Sequence, residues 1–339
     1  MYNIGRYIGR NPDYRLFEKS NTLINNDIDV GIEIEIENIR YFESLDGYPK
    51  VFNLWAPHDD GSLRNGTEFV FSNPYRGASL VKALEDIQEF FNYYEKNNKD
   101  LTISDRCSVH VHVDVREYVP ARLVNLLGWY ILVERVLFKY ISPDRAKNSY
   151  CRPLTDSDFI GTISSKLYKS LNSSNDYDSV AYFIDSIRAS CDKYSALNLL
   201  PSRSFGSIEF RHHQGTKDTK EILDWVNILL ALVTWADNND IVDFISRTKK
   251  DNISITILKN IFFNTKMEQL FKENSEVYSD LPFLLSLGLT DCYSFVNLSN
   301  LSTALENNRS LLTFCSPKRA STIFYKFKKA NDYIKSTGV

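Results

Sequence analysis

SVHVHVD, residues Ser108 to Asp114, alternates valine with histidine, histidine and aspartate. A β-strand has a side-chain period of two, so His110, His112 and Asp114 share one face while Val109, Val111 and Val113 point into a core. The segment therefore reads as one wall of a polar site. The chain holds five histidines, and the others are His58, just before Asp59-Asp60-Gly61-Ser62-Leu63, and His212 and His213, just after SIEFR. Histidines scattered over a solvated surface would not gather in three such segments.

Working outward, GIEIEIE (Gly31 to Glu37) alternates isoleucine with glutamate, and a strand places Glu33, Glu35 and Glu37 on one face, about 6–7 Å from one to the next. Three like charges in a row repel. An edge strand with a solvated acidic face is one reading; a divalent cation that removes the repulsion is the other, because carboxylates are the hard oxygen ligands that Mg²⁺ selects. Asp60-Gly61 and Asn65-Gly66 are turn signals that bracket short apolar pieces, as in a hairpin, and Glu68 follows in the strand TEFVFS. Leu80, Leu84, Ile87, Phe91 and Tyr94 recur at helical spacing, and Pro120 opens a second long helix that ends at Ser142-Pro143. Glu134 within it reads as a helix-surface or capping residue. Residues 144–176 are polar and irregular, with Arg145 and Arg152 flanking Tyr150-Cys151, and read as a lid or substrate loop. A helix over 177–190, a strand over 194–200 and the strand SIEFRHHQGT come next, the last with Glu209 and Arg211 on one face and His213 continuing it if the strand does not bend. A third amphipathic helix spans 220–235. Helices without an obvious polar site follow, and the chain closes near a basic, aromatic FYKFKKA.

This order predicts an α+β fold: a mostly antiparallel sheet with one open polar face, helices packed on the other, and a C-terminal helical subdomain. The expected division is an arm at 1–29, a site-bearing domain at 30–239 and an accessory helical part at 240–339. The 339 residues carry a formal net charge of -3, which gives no field to gather nucleic acid. No apolar run approaches the roughly 20 residues that span a bilayer, and the N-terminus lacks a signal-type apolar core, so neither a membrane nor export is expected. Five dispersed cysteines without CxxC spacing read as free thiols of a reducing compartment, and the cytoplasm is the expected location.

The open face would then collect Glu33, Glu35, Glu68, His110, His112, Glu209 and Arg211 from four strands. His110 and His112 with Glu209 could hold zinc with an open fourth position, as hydrolases do. The excess of glutamate over histidine favours magnesium with nucleotide phosphates, which Arg211 would grip bidentately. No GxxxxGK[ST] or GxGxxG loop is present, so ATP would lie against the sheet and metals. A non-catalytic interaction protein is the remaining alternative.

Six motifs in order, GIEIE, DGSL with TEFV, SVHVHVD, NSYCRPL, YSALNLL and SIEFRHHQGT, resemble the amidoligase family. That family is part of the superfamily of carboxylate–amine ligases built on the glutamine synthetase and glutamate–cysteine ligase catalytic fold. The resemblance covers roughly residues 29–235. It implies an ATP-dependent, ADP-forming ligase that binds ATP and Mg²⁺ on the open face and joins a carboxylate to an amine through an acyl phosphate. By the same resemblance Glu33, Glu35, Glu68, His110 and Glu209 hold metal. His112 and Arg211 serve the phosphates and catalysis together with Glu68, while Asp60, Ser62, Arg152 and Asn198 frame nucleotide or substrate. The acid and amine, whether amino acids, peptides or a protein terminus, and any homo-oligomer stay open.

Overall fold

A computed structural model describes residues 2–12, 16–39, 53–97, 100–156, 159–172, 177–248, 253–273, 276–297 and 301–312. The basic, aromatic segment near the C-terminus and Cys315 lie outside these residues. Six strands form one sheet: β1 Val30–Glu37, β2 Trp55–Asp59, β3 Gly66–Phe71, β4 Ser108–Asp114, β5 Leu197–Asn198 and β6 Ser207–Gln214. Their order is β2-β3-β1-β4-β6-β5, and every neighbouring pair is antiparallel. The expected α+β architecture is borne out.

One face is dry. Ile32, Ile34 and Ile36 of β1, Val109, Val111 and Val113 of β4, and Ile208 and Phe210 of β6 have no measurable exposure. Each such side chain contributes about 1.5–3 kcal/mol relative to exposure, so a one-residue slip, which would turn them all to solvent, is strongly disfavoured. The covering layer is the helices Gly77–Asn97, Pro120–Tyr140 and Thr219–Asn238. Phe90 and Phe91 of the first pack against Phe69 of β3, and Tyr130 of the second against Phe210 of β6. The Thr219–Asn238 helix starts where Asp218 accepts from the amides of Lys220 and Glu221, a side-chain cap for otherwise orphaned donors.

Four local expectations are corrected. The polar run 144–176 is not an irregular lid: Phe159–Asn172 is an α-helix whose Ile163, Leu167 and Leu171 form a buried stripe at four-residue spacing. Its serines and lysines masked that period. Only Leu197–Asn198 of the expected 194–200 strand pairs in the sheet, because Pro201 opens a short helix at once. Glu134 is fully buried, accepting from the Tyr130 hydroxyl (2.6 Å) and from the amides of Leu154 and Thr155 (2.6 and 2.9 Å). It caps another segment's turn across the core, and burial raises its pKa. Finally, β6 carries an extra residue where its register with β4 shifts between Val109 and Val111, a bulge. His213 therefore does not continue the face of Glu209 and Arg211; it is buried beside Trp225, as is His212.

The N-terminal residues dock on this body, with the Ile4 and Gly5 amides donating to the carbonyls of Tyr118 and Arg116. Beyond residue 240 the helix Leu281–Asn297 lies against Pro120–Tyr140, and at Gly288 any side chain would collide with the Leu132 carbonyl. No single helix among the described residues is long and apolar enough to cross a membrane. Gly288→Ala should destabilise the whole fold by about 1–3 kcal/mol, the usual cost of overpacking. A urea denaturation midpoint equal to that of the parent chain would show that this contact does not support the sheet-bearing part.

Candidate active site

The polar face of the sheet is built by the alternate residues of the same strands. Glu33 lies opposite His110 in the β1–β4 ladder, Glu35 opposite Glu68 in β1–β3, and His112 opposite Glu209 in β4–β6. The Glu33 carboxylate bridges both histidines, at 2.9 Å from His110 Nδ1 and 3.1 Å from His112 Nε2. His110 is buried, with Nε2 2.8 Å from Ser108 Oγ, and Ser108 also donates its amide and hydroxyl to Glu35 Oε2 (2.7 and 2.6 Å). His112 Nδ1 lies 3.1 Å from Ser207 Oγ. Glu209 is oriented by Asn198 Nδ2 (2.7 Å) and by the Arg211 guanidinium, whose Nη1 is also 3.5 Å from His110 Nδ1.

Three sets of donors on this face have atoms within 4.8 Å of one another: Glu33, His112 and Glu209; Glu33, Glu68 and His110; and Glu35, Asp60 and Glu68. Glu33 and Glu68 each belong to two sets, so the sets form a ladder across the sheet. Each of the first two holds one histidine and two carboxylates, and the third is all carboxylate. Hard oxygen donors in that proportion suit Mg²⁺ better than the two-histidine arrangement of a hydrolytic zinc.

The ionisation states carry the imprint of this crowding. Burial, and then the charges of Glu33 and Glu35, push the Glu68 carboxyl up to about 8. Burial works the same way on Glu33, yet its hydrogen bonds to His110 and His112 outweigh it and hold the group well below the usual carboxylate range. Burial disfavours a charged His110, but Glu33 and then Glu209 leave its pKa raised on balance despite Arg211.

Of the residues expected at the site, Glu33, Glu35, Glu68, His110, His112, Glu209 and Arg211 converge on one surface. Asn198 reaches it through Glu209. Arg152 stands apart, its half-exposed guanidinium paired with Asp192. Glu37 accepts from the Arg64 amide and so braces the hairpin turn. His58 is exposed on edge strand β2. Sequence reasoning assigned Asp60 a framing role only, whereas the turn carries it among the carboxylates of Glu35 and Glu68; its place in an Asp-Gly hairpin beside Glu68 was the available signal. Ser108 and Ser207 were passed over because serine at a strand end has no distinctive pattern. A cavity of about 380 Å³ opens beside the ladder; Glu33 and His112 line it together with Val70, Arg10 and Phe205, the Arg10 guanidinium lying over the Phe205 ring.

The carboxylates and histidines on this face of an α+β sheet could hold a metal ion. The model of a family described as "Putative amidoligase enzyme" matches residues 70–233. That span carries His110, His112, Arg152, Asn198, Glu209 and Arg211, and it bears out the resemblance read from the motifs; a ligase-type enzyme is the class it indicates. No match to a curated protein was found.

Because burial and neighbouring charge raise the Glu68 carboxyl to about 8, a cation bound at its donor sets would displace that proton at neutral pH. Apparent Mg²⁺ affinity should therefore rise with pH toward about 8, and calorimetry in buffers of different ionisation enthalpy should detect proton release that Glu68→Gln abolishes. The same shift has a sign for folding. A carboxyl raised from 4.5 to about 8 gives the metal-free fold a stabilisation present below pH 4.5 and lost as pH rises through about 8. Metal uptake without proton release would contradict this account of the ladder.

Proposed function

We propose that the protein is an ATP-dependent, ADP-forming carboxylate–amine ligase, acting on small carboxylate and amine substrates or on a peptide or protein terminus. The observation that carries this reading is the ladder of hard-donor sets beside a cavity, on a fold whose residues 70–233 match the amidoligase family. Glu33, Glu35, Asp60, Glu68, His110 and Glu209 would hold Mg²⁺, which neutralises phosphate charge when bound. In the reaction the substrate carboxylate attacks the γ-phosphorus, ADP leaves, and the amine then displaces phosphate from the acyl phosphate while losing a proton.

The chain's own residues supply orientation and charge. Glu209 and Asn198 fix one end of the face, and Arg211, between Glu209 and His110, offers a planar cation for the spread charge of a transferring phosphoryl group. His112, which lines the cavity with Glu33, would meet the phosphate chain, and Phe205, also in the lining, would offer a ring to a nucleobase. The zinc reading is less well supported, since His110 and His112 fall into different donor sets on either side of Glu33. Phosphoryl transfer in this scheme needs no covalent nucleophile, which agrees with the burial of Cys107, Cys151 and Cys292.

ATP with Mg²⁺ should raise the melting temperature, because a ligand that binds only the folded state stabilises it by mass action. Glu33→Gln or Glu35→Gln should remove the shift. Stoichiometric zinc in the purified protein, with no nucleotide-dependent shift, would overturn the ligase reading.

Arg211→Lys keeps the charge and loses the fork, so turnover should fall by roughly 10²-fold or more while ATP affinity changes much less. ADP release and the denaturation midpoint of the same variant check this together. A large fall in stability with turnover per folded molecule intact would assign Arg211 to the fold alone.

A further inference from the structure

Residues 143–156, which include the first part of the run 144–176 expected as a lid, are fastened to the body at both ends. At the far end Glu134 receives the amides of Leu154 and Thr155. At the near end Arg145, only 6% exposed, donates from Nε to the His212 carbonyl (3.0 Å) and from Nη2 to the Arg211 carbonyl (2.8 Å). These two consecutive carbonyls sit at the bulge where the β4–β6 register shifts. Between the fastenings the Tyr150 carbonyl accepts from Arg211 Nε (3.4 Å), and the buried Cys151 thiol lies against the Arg145 guanidinium. The segment thus touches Arg211 twice, through its backbone by Arg145 and through its side chain by Tyr150.

We propose that Arg145 is a positioning residue for Arg211: its planar fork fixes the bulge that aims the Arg211 side chain at Glu209 and His110. A bulge is where a strand's direction is least determined by the ladder, because the extra residue escapes the pairing. Without a fixed bulge the alternation that sends Arg211 to the open face and His212 to the core could relax. A guanidinium is suited to this, since five donors in one plane can hold two carbonyls at once, and a buried ammonium cannot match both directions. The burial of so costly a group argues for a role beyond packing, because the groups it hydrogen-bonds are neutral, two carbonyls and a thiol, and of the charges around it Glu35 favours the cation while Arg211 opposes it. Arg145 would act on turnover only through Arg211, so its catalytic consequence rests on the ligase reading, whereas its effect on Arg211 does not.

The test uses the full chain and the side-chain Nε–H resonance of Arg211, assigned by its loss in Arg211→Lys. Hydrogen exchange at this proton should quicken by about tenfold or more in Arg145→Met, while amides of β1 and β3 keep their protection, a local and not a global opening. Arg145→Lys should fall between the two, and decides the question if the methionine variant does not fold. In parallel, the gain in ADP affinity on adding aluminium fluoride, a mimic of the transferring phosphoryl group, should shrink by about tenfold in Arg145→Lys with ADP affinity alone unchanged. Unchanged Arg211 exchange in a folded variant, or acceleration equal throughout the sheet, would overturn the proposal. If the parent chain shows no gain with aluminium fluoride, the ligase reading fails, and the exchange result still decides the role of Arg145.

Discussion

Glu35 on β1 stands directly across from Glu68 on β3, and this juxtaposition of like charges governs the open face. Two carboxylates opposed in an antiparallel pair repel, and Glu33 and Asp60 add to the load. The chain relieves each carboxylate differently. Glu35 is held by Ser108, Glu33 by two histidines, and Glu209 by Asn198 and Arg211. Glu68 is the one left to take up a proton, its carboxyl displaced to about 8. A cation held among these donors would offset the remaining repulsion, which is what the proposed reading asks of the face.

Holding repelling groups together requires a stiff support, and the dry face of the same strands provides it. The period of two that lines up Glu33 and Glu35 also lines up Ile32, Ile34 and Ile36, so one strand carries the electrostatic cost and the hydrophobic gain that offsets it. β6 departs from this economy at its bulge. There two adjacent histidines both turn inward, and His212 is driven down to about 3 by burial, with Arg145 and His213 adding to the effect. These are neutral core residues, hydrogen-bonded or packed against Tyr130, Phe138 and Trp225, and their chemistry is structural although their residue type matches that of His110 and His112.

Strict alternation is why the strands, their faces and the cluster of Glu33, Glu35, Glu68, His110, His112, Glu209 and Arg211 were legible in the sequence. A two-residue period leaves few alternatives once one valine is known to be buried. The bulge was not legible, because a single inserted residue changes the phase without changing composition, and His213 was misplaced on that account. The Phe159–Asn172 helix was hidden by its lysines and by its serines, of which Ser164 and Ser170 are buried beside the apolar stripe, although its Ile163, Leu167 and Leu171 kept the helical spacing. Asp60 and Glu134 illustrate a different limit. Their roles depend on contacts made over tens of residues or through a turn, and no local pattern encodes which partner a carboxylate will meet.

The ladder's two ends differ, and the difference begins at Gly31. This residue occupies the position on β1 two before Glu33, on the same face, and a Cβ there would lie 3.2 Å from that of His112. The absent side chain leaves room for the His112 ring and for the cavity that it lines with Glu33. At the opposite end the hairpin folds Asp60 over Glu35 and Glu68, closing the face with negative charge in place of open volume. On the proposed reading, a triphosphate entering at the cavity would meet His112 and the first carboxylates before its terminal group reached Arg211. An amine, cationic before it reacts, would be drawn to the acidic end. The asymmetry needs no separate binding domain: one glycine and one aspartate, at the two ends of a single carboxylate row, are sufficient to give the face a direction.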